Sequence, residues 1–475
     1  QPSVWYGGFG APRAGSIRDV TVIATRDGWP RAQVSIGTVG EPLAIGRGGG
    51  EPLAIMLGPP RGLQLDVRSR CSPAGVKVTV QSAATHDAPR IDRSGSLVSV
   101  TGLGPFVYTA RVECCGSQSD HTIDGLTARG TVTLDAGSPP APRIATQFAA
   151  IALGRETSCA LATDGTVWCW GSNAMGILGN GPGSAQPTPV RVANLDQVEE
   201  IGVGSLYACA RRRDGSVWCW GDNSAGQLGV GTSTGHDAVP RPVPGLVATS
   251  LAVGRGHSCA ITADRQVSCW GSNHYGELGV GDRVARSLPT PVVGLTDVDE
   301  VRAGYFHSCA RIRGGAIKCW GWNSHGQLGH GGHGTAVYRT KPVLVNGASN
   351  ATKLALGVHH TCAASGSKLV CWGEGTSGVP SRLLDVPELD LVATWAQTCV
   401  TPTSGGVTCW AGSSRPAPVQ GVVGKVIDLA VGDQHACALL TDGGLLCWGS
   451  NSAGQLGNGV CTPSYAPPSS PVRVL

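Results

Sequence analysis

At 475 residues, with 41% hydrophobic and 14% charged residues, the chain is long enough for two or three domains and apolar enough to bury a core. A net charge of +4, with Lys and Arg scattered rather than blocked, argues against a nucleic-acid partner, and no run approaches the roughly 18 apolar residues that membrane insertion of a helix needs. Seventy-one glycines and 31 prolines beside only 5% aromatics favour many short strands joined by tight turns, so the expected class is all-β.

In chain order, residues 1–16 come first. Pro2, Gly7, Gly8, Gly10 and Pro12 surround Trp5, Tyr6 and Phe9, a composition that cannot build a core of its own. Trp5, Tyr6 and Phe9 are a candidate interface, packing either on an adjacent copy or on the chain's own second half. The start at Gln1 rather than Met implies a removed export signal or a processed product. Residues 17–135 carry alternating segments at 19–24, 32–36, 63–67, 76–80, 96–100, 108–112 and 131–134, which predict a small immunoglobulin-like β-sandwich. Residues 136–143, with Pro139, Pro140 and Pro142, read as a stiff linker.

From residue 144 to 475 the chain repeats one motif seven times, and repeats outrank any local reading. Cysteines fall in pairs: Cys159 with Cys169, Cys209 with Cys219, Cys259 with Cys269, Cys309 with Cys319, Cys362 with Cys371, Cys399 with Cys409, and Cys437 with Cys447. Six pairs are ten positions apart and one is nine. Placing Cys159 opposite Cys169 across a hairpin leaves the loop Thr163-Asp164-Gly165, with glycine where positive φ is needed; placing Cys362 opposite Cys371 leaves the two-residue loop Gly366-Ser367. The residue lost from the spacing is lost from the loop. Both loops put the cysteines at a non-hydrogen-bonded pair, where facing Cα atoms stand about 4.5 Å apart and a disulfide fits. Arg265 takes the place of the loop glycine in the third repeat, so strain is expected there.

Metal binding is the rival reading, because His257, His307, His360 and His435 each sit two residues before a cysteine. Thr157, Tyr207 and Gln397 fill that slot elsewhere, and no close Cys-x-x-Cys pair is present, so disulfides are preferred and no metal or cofactor is expected. Reducing cytosol would not keep such bonds, which places the protein outside it, extracellular or on the cell surface. Cys71, Cys114, Cys115 and Cys461 remain as candidates for further disulfides, within the N-terminal domain, between domains or between subunits. Arg211, Arg212 and Arg213 read as a solvated turn.

The motifs Gly-x-x-His-Ser-Cys-Ala, Asp-Gly-x-Val-x-Cys-Trp-Gly and Asn-x-x-Gly-Gln-Leu-Gly, as at 254–260, 164–171 and 223–229, resemble the regulator-of-chromosome-condensation repeat. The resemblance implies a seven-bladed β-propeller, and the cysteine pairs are similar to those of exported bacterial members rather than nuclear ones. Four short strands per repeat also read directly as a propeller blade. A terminal strand at 471–475 is expected to pair with the strand at 148–153 and close the ring. Trp170, Trp220, Trp270, Trp320, Trp372, Trp410 and Trp448 share one slot, which reads as blade packing rather than the clustered tryptophans of a photosensor. Successive first cysteines lie 50, 50, 50, 53, 37 and 38 residues apart, so repeats five and six are short and the rim there is expected to be low, a notch for docking or simple loop loss.

Members of the resembled family exchange guanine nucleotides on a nuclear GTPase, sense ultraviolet light or inhibit β-lactamase, so fold alone does not choose a function. The runs 231–235 and 373–378 match a nucleophile elbow and a dinucleotide loop, but both are expected between blade strands rather than before a helix. The expectation is an exported, non-enzymatic structural or interaction protein that self-associates, its partner other copies of itself in a surface assembly such as a filament. The alternatives are a secreted propeller that binds or inhibits a foreign protein, and a carbohydrate-binding or glycan-active protein.

Overall fold

The computed structural model describes residues 147–332, 338–366, 368–374, 379–385, 390–393, 397–402, 405–411, 416–462 and 470–475, together with the backbone of ten strands before residue 136. Two compact units divide the chain: residues 1–143 with 460–463, and residues 144–459 with 464–475.

In the first unit, Val20–Ala24 pairs with Ala32–Ile36, and a five-stranded sheet carries the parallel pair Gly62–Arg68 and Thr131–Asp135. The strands Lys77–Ser82, Val107–Cys114 and Ser117–Asp124 form a third sheet. Every alternating segment of the sequence overlaps one of the ten strands. Arg90–Ser94 and Ser117–Asp124 are strands that alternation could not reveal, since isoleucine is the sole apolar side chain of each. Trp5, Tyr6 and Phe9, the immunoglobulin-like packing and the pairing of Cys71, Cys114 and Cys115 lie outside the described residues. Cys461 is buried and disulfide-bonded.

The second unit is a seven-bladed β-propeller. Each blade is a four-stranded antiparallel sheet taken from consecutive strands, spanning residues 148–191, 198–247, 250–291, 298–344, 353–385, 390–418 and 426–473. Strand alternation assigns each hairpin two faces. In blade 1, Cys159 faces Cys169 and Ser158 faces Trp170; the cysteines pack toward blade 2 with Leu161, Val167 and Trp220, and Trp170 packs toward blade 7 with Leu439, Leu445 and Leu456. The same division recurs around the ring, so the core lies in the seams between blades. In all seven hairpins the paired cysteines are bonded, with Cα atoms 4.0–4.1 Å apart.

Loop geometry follows the sequence arithmetic. Gly165 closes the three-residue loop at φ +81°, and Ser365 faces Lys368 across the shorter one. Arg265 adopts φ +61°, a left-handed conformation costly for a residue with a Cβ, and its guanidinium reaches Asp299 on the next blade. No helix follows Gly235; the chain passes directly into the strand His236–Val247.

Ring closure differs from expectation. Val472–Arg473 pairs with Leu446 and Cys447 as the outer strand of blade 7, whereas Phe148–Leu153 pairs with the second strand of blade 1. The reason is geometric: the last strand lies at the outer edge of its blade and the first lies innermost, so the two edges never meet. Packing of Phe148, Ile151 and Leu153 with Ala430 and Leu439 closes the ring instead.

Each bridge closes a short loop inside a hairpin that hydrogen bonds already hold. Replacing Cys259 and Cys269 together by serine is therefore expected to lower stability by about 2–3 kcal/mol at most. Guanidinium unfolding of the full chain, with and without reductant, checks this, and an unchanged midpoint in both comparisons would show that the bridges contribute nothing.

Candidate functional site

The inter-blade seams are held by a repeated polar contact. In the loop that follows each complete hairpin, Asn173, Asn223, Asn273, Asn323 and Asn451 accept the backbone N–H of a leucine five residues on, through Oδ1. The loop so fixed presents one carbonyl to the next blade. Trp220 Nε1 donates to Ile177 O at 2.7 Å, Trp270 to Gln227 at 3.0 Å, Trp320 to Glu277 at 2.8 Å, Trp372 to Gln327 at 2.8 Å and Trp170 to Gln455 at 2.9 Å.

The histidines that suggested metal belong to the same seams. His257 Nε2 meets Ser308 Oγ at 2.8 Å, His307 meets Thr361 at 2.8 Å, His360 meets Thr398 at 2.9 Å and His435 meets Ser158 at 2.8 Å, each on the following blade. Ser158, Ser308 and Thr361 also donate their one proton to the loop carbonyls of Gln455, Glu277 and Gln327, so the histidines opposite them must donate from Nε2. Tyr207 Oη lies 3.0 Å from Ser258 Oγ and donates its own proton to His257 O at 2.7 Å. Where the first slot holds Thr157 or Gln397, the facing slot holds Ala208 or Ala436, so a hydroxyl is present only where a ring arrives to use it. Burial drives the pKa of His257 down to about 4 and those of His307 and His435 to about 3.

In the six blades where it is described, one turn links the first two strands, and it builds the face. Gly154, Gly204, Gly254, Gly304 and Gly432 open these turns, and each lies so close to the next blade that an added Cβ would stand 2.3–2.9 Å from a backbone oxygen there. The two residues after the glycine are Arg155 and Glu156, Ser205 and Leu206, Arg255 and Gly256, Tyr305 and Phe306, and Asp433 and Gln434, all exposed or half-buried, whereas in blade 5 Val358 is buried and His359 is half-buried. Arg155, Arg255, Tyr305 and Asp433 ring the mouth of a central channel enclosing about 340 Å³. Burial raises the pKa of the Asp433 carboxyl despite Arg155 and Arg255, and its Oδ2 is buried with no hydrogen-bond partner among the described residues.

Beside this mouth lies a half-buried aromatic patch. The backbone N–H of Trp322 donates to Phe306 O at 2.9 Å, which sets the two side chains together, and their rings meet edge-on at 5.4 Å. Tyr275, carried over from the loop of blade 3, lies 5.2 Å from Phe306 and 5.5 Å from Trp322. Tyr305 meets Phe306 at 4.9 Å, and the Arg255 guanidinium lies 4.4 Å over Tyr305. His325 from the loop of blade 4 stacks on His359 of blade 5 at 4.1 Å, with Trp322 beside both. Glu374 Oε2 is 2.9 Å from His359 Nδ1. The result is one continuous surface over blades 3 to 5.

Sequence reasoning found the seam tryptophans and missed this patch. Five of the seven tryptophans in the shared slot are almost fully buried, as blade packing requires. Arg211 and Arg212 end a strand of blade 2 and pair with Glu199, Glu200 and Asp196, whereas Arg213 lies in the solvated turn, 77% exposed beside Glu199. The signal for the patch was departure from the repeat. Trp322 stands where other repeats have Ser172, Asp222, Ser272 or Ser450, and Tyr275 stands where Ala225 and Ala453 do.

The family profile described as RCC1-like domain matches residues 96–386, and the RCC1 repeat profile matches residues 426–455. No curated protein matches the chain by sequence. Among solved structures, Prp20p of Saccharomyces cerevisiae, described for its binding to Gsp1p and histones, is 20% identical, with 70% of this chain and 87% of that one covered at a TM-score of 0.56. Human WBSCR16 is 22% identical, covering 66% of this chain and 94% of its own, at a TM-score of 0.58. At these identities the similarity is one of fold.

Two outcomes follow from the seams. Unfolded histidines titrate near 6.5, so as pH falls the unfolded chain takes up protons before His257, His307 and His435 do, and stability declines from about pH 6.5 toward their folded values. Chemical unfolding between pH 6.5 and 5, mostly above the carboxylate range, is expected to show that loss, and a flat profile there would contradict neutral buried rings. At pH 7, Ser308→Ala strands the His257 donor and should cost about 1–3 kcal/mol in the same assay.

Proposed function

The chain belongs to the RCC1-like domain family, and from that premise we propose that it is an exported, non-enzymatic propeller that holds a partner protein against the aromatic face of blades 3 to 5. The observation that carries this reading is the contiguous cluster of Tyr275, Tyr305, Phe306 and Trp322 with Arg255 laid over it. Tyr, Trp and Arg are the side chains that most often dominate binding energy at protein interfaces, because they bury a large area at a small entropy cost. Prp20p is described as binding proteins, and a protein partner is the class carried over here. Export rests on seven hairpin disulfides, which an oxidising compartment maintains. With a net charge of +4, a nucleic-acid partner has little to hold it. Self-association into a filament is the case in which the partner is a second copy, and capture of a foreign protein is the other.

The test begins by cross-linking the protein in its native setting to identify what it touches, with light scattering of the purified chain to separate a second copy from a foreign protein. Against the identified partner, Tyr305→Ala and Trp322→Ala are each expected to weaken binding roughly thirty-fold, about 2 kcal/mol, with little change in melting temperature. Full-strength binding by the double variant would sink this face as the binding site, and binding only to a glycan would sink the protein partner.

A further inference from the structure

At one end of the aromatic face the side chains change character. His325 from blade 4 and His359 and Glu374 from blade 5 bring two imidazoles and a carboxylate together, with one ligand atom of each lying within 4.8 Å of the others. We propose that these three residues bind a single divalent transition-metal ion, with Zn²⁺ the best match to the donor set.

Geometry comes first. Ligands bonded to zinc at 2.0–2.2 Å stand about 3.3 Å apart in a tetrahedron, so contraction by about 1.5 Å at most completes the site. Glu374 is exposed and both histidines are half-buried, which leaves side-chain torsions free to make that adjustment. The backbone beneath them is fixed. The Glu374 N–H donates to His359 O at 2.8 Å, and the His325 N–H donates to Gln327 Oε1 at 2.9 Å.

The surroundings also suit a metal. Ser324 Oγ lies 2.8 Å from His325 Nδ1, which orients that ring and leaves Nε2 as the ligating atom. His359 Nδ1 and Glu374 Oε2 lie 2.9 Å apart, and an ion entering between them is ligated by Nδ1 in the tautomer that carries the ring proton on Nε2. Two nitrogens and one oxygen select zinc-class ions over Ca²⁺ and Mg²⁺, which take oxygen alone. Water completes the coordination from the open side.

Comparison with the other repeats gives independent support. The slot of His325 holds Met175, Ala225, Tyr275 or Ala453 elsewhere, and that of His359 holds Glu156, Leu206, Gly256, Phe306 or Gln434. The slot of Glu374 holds Ser172, Asp222, Ser272, Trp322 or Ser450. Among these blades, ligating side chains coincide in all three slots only at the seam of blades 4 and 5. Apart from the stack of the two rings across that seam, none of the three belongs to a buried core cluster. This inference stands on the cluster alone and does not depend on the partner proposed above.

The experiment uses the full chain without a polyhistidine tag, treated with chelator and dialysed. Zn²⁺ titration by calorimetry is expected to give one site, weakened about ten-fold or more by His359→Ala, by His325→Ala and by Glu374→Gln. His274→Ala, an exposed histidine on blade 3, should leave the isotherm unchanged. Trp322 lies 5.2 Å from His359 and 5.5 Å from His325, so Cu²⁺ at the site should quench its fluorescence. The quenched fraction is read as the difference between wild type and Trp322→Phe, which needs no ligand variant to fold. A flat Zn²⁺ isotherm, an equal isotherm in wild type and Glu374→Gln, or Cu²⁺ quenching that ignores Trp322 would each overturn the site.

Discussion

A single backbone carbonyl in the loop after a hairpin fastens one blade to the next. At Gln455, Glu277 and Gln327 it accepts both the indole N–H and the hydroxyl of the following blade. Ile177 and Gln227 accept the indole. A tryptophan N–H and a serine hydroxyl in an apolar seam would each be costly without a partner, so the loop conformation and the seam composition require each other. The disulfide on the opposite face of the hairpin keeps the two donors at a fixed separation, because it locks the register of the strands that carry them. Blades five and six lack the loop motif; Trp410, on the blade after the first of them, is still buried, and Trp448, on the blade after the second, is half-buried.

Much of this was legible in the residues because it is periodic. The nine-residue spacing of Cys362 and Cys371 identified a hairpin by its loop arithmetic, and Arg265 marked a strained turn because no glycine stood there. The seam histidines were harder. From sequence they form a row of ligating side chains; only the approach of the next blade shows that each ring meets a hydroxyl, as His435 meets Ser158 across 277 positions. Ring closure failed for the related reason that strand order within a blade, not proximity of chain ends, decides which edge is free.

The candidate site was illegible for a different reason. Its residues are exceptions to the repeat, and exceptions carry no period. Tyr275, Trp322 and His325 are scattered over fifty positions, yet the seams bring them together: each loop reaches forward onto the next blade, so a loop residue of blade 3 lies on blade 4. Neighbouring slots in space are therefore about thirty to fifty positions apart in sequence, and the same slot-to-slot offset recurs from seam to seam. Tyr275 to Phe306 and His325 to His359 are the same step taken on successive blades.

That offset explains where the face lies. Within Asn-x-x-Gly-Gln-Leu-Gly, the asparagine ties the leucine N–H, the glutamine side chain ties the N–H two residues before it, and the glycines allow the chain to turn. The residue before the first glycine gives the loop only its backbone, so its side chain is free to project. It is Tyr275 in blade 3 and His325 in blade 4. Each needs a turn on the next blade to lean against, and Phe306 and His359 supply those turns. Blade 5 has no such loop motif, and among the described residues the surface ends at Glu374. The patch thus occupies consecutive seams where a complete loop meets a turn bearing a ring.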